Sequence, residues 1–116
     1  MSNNGIENKI IIEMKFILDS VLNGMKWHTA NSDLQSIGAL ILERFGNKEN
    51  FQTILGEKGA IEVFNNVIEV HKENAEVIKN SFRAISNMLL NHKENKKLIC
   101  TIRFIENVGQ ILAHFK

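Results

Sequence analysis

An all-α fold is what this chain predicts, and three observations predict it. Apolar side chains recur at helical spacing along nearly its whole length, and sustained alternation with period two is absent. The 116 residues contain no proline, while Asn-Gly and other glycine signals punctuate the periodic stretches where short links belong. With 44% apolar side chains, that length suits one compact domain and excludes a disordered tail.

The elements follow in order. A long first helix is predicted from about Ile6 to Leu22, closed by Asn23-Gly24. The longest link, Asn23 to Asn31, carries Trp27 and His28, and the indole is expected to fold back onto a helix face. Ser32 with Gln35 reads as a capping box opening the second helix, which Gly46 ends at Phe45. Phe51 to Leu55 make a short helix, and Gly56 and Gly59 frame the turn after it. From Ala60 to His71 the stripe Ile61, Phe64, Val67, Ile68 leaves Glu62, Asn65, Asn66 and Glu69 outside. Asn74 is placed to cap a helix from Ala75 to Leu90 with the stripe Val77, Ile78, Ser81, Phe82, Ile85, Met88, Leu89. The last helix, Phe104 to Phe115, carries Phe104, Ile105, Val108, Ile111, Leu112 and Phe115.

Composition narrows the function. A formal charge of +1 describes neither an acidic tail nor a polybasic arm. It is unevenly placed: residues 1–70 carry six Lys+Arg against nine Asp+Glu, net −3, and residues 71–116 eight against four, net +4. One cysteine rules out a disulfide framework and a cysteine-rich zinc site, and Cys100 reads as a packing residue. No apolar run approaches a membrane span, no charged leader opens the sequence, and no Asn-x-Ser/Thr triplet occurs, so a cytoplasmic or nuclear protein is expected. His28, His71, His92 and His114 have no metal-ligand spacing, and there is no Gly-x-Ser-x-Gly, phosphate loop or paired acids. The expectation is no catalytic residue, no metal and no cofactor. Lys93, Lys96, Lys97 and Arg103 form the only basic cluster, and they lack the interleaved stacking side chains of an RNA reader.

The chain also repeats itself. An offset of 45 residues brings Ser36 onto Ser81, Ala39 onto Ala84, Lys48-Glu49-Asn50 onto Lys93-Glu94-Asn95 and Ile54 onto Ile99. After a one-residue gap, Ile61-Glu62 falls on Ile105-Glu106 and Val67-Ile68 on Ile111-Leu112. A period of this length belongs to armadillo or HEAT units, each of which must stack on neighbours to bury its apolar faces. The densest core cluster is expected at Ile54, Ile61, Phe64, Ile68, Phe82, Ile85 and Leu89.

Glu49-Asn50-Phe51-Gln52-Thr53-Ile54, then Gly59-Ala60-Ile61, then Arg83-Ala84-Ile85-Ser86-Asn87-Met88 resembles the armadillo consensus in order and spacing. The resemblance implies a right-handed α-solenoid with one full unit at 47–91, a partial unit at 6–46 and another at 92–116. Glu62 stands where the family often has proline, and the glycine matching Gly59 is missing near Arg103-Phe104. The resemblance further implies a protein-binding module whose third helices line a groove for an extended peptide. Asn87 takes the position of the family's peptide-binding asparagine, and Arg83 replaces a frequent tryptophan with a cation suited to carboxylates. Asn80, Arg83 and Asn87 form one row at i, i+3 and i+7; the matching row of the preceding unit is Gln35, Gly38 and Leu42. A second expected surface lies at the ends. Phe104, Val108, Ile111 and Phe115 on the last helix, and Ile10, Ile11, Met14, Phe16, Ile17 and Leu18 on the first, offer apolar faces for another protein or a second copy.

Overall fold

The computed structural model describes residues 4–100 and 103–114, which form seven α-helices and no strand. They are α1 (Asn4–Trp27), α2 (Ser32–Phe45), α3 (Glu49–Glu57), α4 (Ala60–Val70), α5 (Ala75–Leu89), α6 (Lys93–Cys100) and α7 (Phe104–His114). Several predicted signals act as expected. The Asn74 side chain caps α5 by accepting from Val77 N at 3.2 Å, Gly46 caps the end of α2, and Gly59 adopts φ +82° ahead of α4.

Others do not. Asn23-Gly24 fails to end α1, because the stripe Leu18, Leu22, Met25 continues through it into the core. One more buried methionine outweighs the roughly 1 kcal/mol cost of a helical glycine. The predicted long link shrinks accordingly, and Trp27 does not fold back: it is 82% exposed. Its emission is therefore expected to be solvent-like and fully open to acrylamide quenching; a blue-shifted, protected emission would contradict this placement. Nor does Ser32 cap α2. Asn31 does so, accepting from Leu34 N at 3.0 Å. Gln35, buried completely, instead donates to Met25 O (3.1 Å) and His28 O (2.8 Å), satisfying carbonyls at the end of α1.

Packing has a period of three helices: α1 lies against α4, α2 against α5, α3 against α6, and α4 against α7. The molecule measures 56 × 29 × 19 Å. The core centres on α4, whose Ile61, Phe64, Val67 and Ile68 are fully buried, with Leu42, Leu55, Ile85 and Met88 around them. Of the expected cluster, Ile54, Phe82 and Leu89 are only partly buried.

The many asparagines and glutamines tie these layers together. Gln52 Nε2 donates to Asn87 O (2.7 Å) and Leu90 O (2.8 Å), and Asn95 Nδ2 to Gln52 O (2.9 Å) and Met88 O (2.8 Å). Asn107 Nδ2 donates to Asn65 Oδ1 at 2.9 Å, joining α7 to α4. The carbonyls of Asn87, Met88 and Leu90 lie at the end of α5, where no further helical turn supplies donors, so the Gln52 and Asn95 amides satisfy them.

Candidate interaction surface on α2 and α5

Asn80, Arg83 and Asn87 share one side of α5, but their roles differ. Asn87 Nδ2 donates to Glu43 O at 2.8 Å and Asn80 Nδ2 to Ser36 O at 3.4 Å, so both half-buried amides span to the backbone of α2. Each of these bonds uses one of the two amide hydrogens. Arg83 between them is exposed. Beside it lies a shallow cleft of about 350 Å³ lined by Glu43, Lys79, Phe82, Arg83, Ser86 and Asn87. Glu43 Oε1 is buried there without a hydrogen-bond partner.

The row expected on α2 is misplaced. Gln35 and Leu42 are fully buried, and Gly38 lies against Met25, where a methyl would come within 2.7 Å of the sulfur. The equivalent N-caps Asn31 and Asn74 set the register between the two helices at 43 residues, which pairs the buried Gln35 with Ile78, Gly38 with Ser81 and Leu42 with Ile85. On that register Asn80, Arg83 and Asn87 correspond to Ile37, Leu40 and Arg44, all exposed. The error has a simple origin. A two-residue slip turns a helix by about 200°, which carries a surface row into the core. Asp33 and Arg44 mark the correct face, since they share it with Ile37 and Leu40 at i, i+4, i+7 and i+11.

The expected docking stripe on α7 is corrected as well. Ile111 is buried, Val108 is partly buried, and Phe104 meets Phe82 edge-on at 6.1 Å, so these residues hold α7 onto the molecule. Ile105 and Leu112 face outward instead, and Phe115 lies outside the described residues. On α1, Leu18 belongs to the core, whereas Ile10, Phe16 and Ile17 are exposed.

The remaining groups organise structure. His92 is nearly buried. Its Nδ1 accepts from Asn95 N at 3.1 Å, which leaves the Nε2 proton for Thr53 Oγ1 at 2.8 Å. Within the basic cluster, Lys97 pairs with Glu94 (3.7 Å) and Arg103 with Glu106 (3.1 Å). The hydrogen bond to Glu106 and then its charge hold the Arg103 guanidinium above its ordinary range. Cys100 is exposed, not packed. Among the described residues no group of three His, Cys, Asp or Glu is placed to hold a metal ion, and no helix is long and apolar enough to cross a membrane. No protein-family model, curated protein or solved structure matches this chain.

Proposed function

We propose that the chain is a right-handed solenoid of about two and a half armadillo-like units, a non-catalytic, cytoplasmic or nuclear module that binds an extended protein segment across α2 and α5. The three-helix packing period and the equivalent N-caps of α2 and α5, Asn31 and Asn74, support the architecture. One observation carries the binding reading: Ile37 (59% exposed) and Leu40 (41%) lie on the helix beside Arg83 and Lys79. Exposed apolar side chains on α2, beside an α5 whose Lys79 and Arg83 form no ion pair among the described residues, suit a segment that alternates apolar and acidic residues. Asn80 and Asn87 act as braces that hold α5 on α2 and offer their remaining amide hydrogens at the floor. With helices packed about 8–10 Å apart, two of them span only a few residues of extended chain, so affinity is modest.

Random-peptide display on the full chain tests this reading. Enriched peptides are expected to carry acidic and apolar residues. Binding should fall at least about ten-fold in both Arg83→Glu and Leu40→Asp, and hold in Arg103→Glu. No enrichment, or equal loss in all three variants, would overturn it. A second reading, a subunit docking through its end helices within a larger assembly, draws on the apolar side chains exposed on α1 and α7.

A further inference from the structure

The cleft between α2 and α5 carries both signs of charge. Lys79 and Arg83 line it from α5, and Glu43 lines it from the last turn of α2. Among the described residues these three groups form no ion pair, and the adjacent Arg44 forms none either. Asn87 anchors the turn that carries the carboxylate, through its 2.8 Å bond to Glu43 O. Glu43 is half-buried: Oε1 is enclosed without a hydrogen-bond donor, so the charge reaches the cleft through the second oxygen alone. An anion so poorly solvated gains more from an opposing cation than one in open water. The negative end of the α2 dipole adds to the same demand. Phe82, in the same cleft, offers an apolar wall for the methylene stem of a long basic side chain.

We propose that the segment bound here presents a basic side chain, arginine or lysine, two residues from an acidic one. The basic group meets Glu43, the acidic group meets Lys79 and Arg83, and Glu43 is the specificity-determining residue of the site. The inference rests on the peptide-binding reading above and narrows it to a segment of mixed charge. A purely acidic segment drawn by the two cations would set a like charge beside Glu43, a juxtaposition that costs affinity. A charged donor also bonds a carboxylate about twice as strongly as a neutral backbone N–H does. Side chains two residues apart in an extended chain lie on one face about 7 Å apart. Neighbours of opposite charge at that spacing both enter a cleft of about 350 Å³.

Selection of one random-peptide display library on the wild-type chain and on Glu43→Gln tests this. Peptides enriched on the wild type should carry arginine or lysine two positions from aspartate or glutamate. On Glu43→Gln the basic residue should no longer be selected, while acidic and apolar residues still are. Synthetic peptides of the enriched sequence, titrated by fluorescence anisotropy, give the size of the effect. Replacing their basic residue by leucine should weaken binding to the wild type at least about ten-fold, and to Glu43→Gln by less than about two-fold. The leucine peptide is compared on the wild-type protein, so the test holds even where Glu43→Gln disturbs folding. Enriched peptides that are acidic and apolar without a basic residue would overturn this inference and leave the peptide-binding reading standing. Equal weakening on both proteins would do the same. No enrichment on the wild type would overturn the reading itself, and this inference with it.

Discussion

Gly56→Ala is expected to destabilise the protein by about 2–4 kcal/mol, although an alanine is normally the better helix residue. Gly56 is buried in α3, and a methyl group there would overlap the Asn95 carboxamide oxygen of α6. Asn95 is 1% exposed and cannot simply turn away, because its Nδ2 bridges Gln52 O and Met88 O. Either α3 and α6 separate, or two buried hydrogen bonds are lost, each at about 1–3 kcal/mol. The measurement is the melting midpoint followed by circular dichroism at 222 nm, expected to fall roughly 8–15 °C. Adding Asn95→Ala removes the oxygen the methyl meets, so the double variant should fall short of additivity. Gly24→Ala supplies the contrast: nothing lies within 4 Å of a methyl at that position, so about 0.5–1 kcal/mol of stabilisation is expected. Equal gains in both variants would refute the close approach of α3 and α6.

Phe64→Ala should cost about 3–5 kcal/mol, a large part of the 5–15 kcal/mol available to a domain of ordinary stability. The ring is fully buried on α4, the helix that packs against α1, α3, α5, α6 and α7. A cavity there withdraws contacts from several layers at once. Urea unfolding is expected to show a lower midpoint with an unchanged slope. Phe82→Ala should cost clearly less, since Phe82 is only partly buried and meets Phe104 at the edge of the core. A larger loss at Phe82 than at Phe64 would place the core in the wrong layer.

Much of this organisation is legible in one dimension. The α4 and α5 stripes are read correctly because each is apolar on one side only, with Glu62, Asn66 and Glu69 or Lys79 and Arg83 opposite. On α2 the signal is degenerate. Leu34, Ile37, Ala39, Leu40, Ile41 and Leu42 are apolar nearly all round, so periodicity alone does not choose the buried side. The same holds for the first half of α1, where the half-buried Ile11 and the exposed Ile10 and Ile12 are alike in sequence. Polar residues mislead in the opposite sense. Gln35, Gln52 and Asn95 look like surface amides, yet each is buried and donates to a backbone carbonyl of a neighbouring helix.

The sequence by itself determined that the chain is helical, where most helices start and stop, and that α4 lies in the core. These are consequences of local physics: capping oxygens, glycine conformations and one-sided apolar stripes act within a few residues. Only the tertiary structure decided which side of α2 faces water and which amides are already engaged. A helix turns about 100° per residue, so the contacts of α1 and α5 on α2, more than its apolar periodicity, fix whether Leu42 or Leu40 meets a partner.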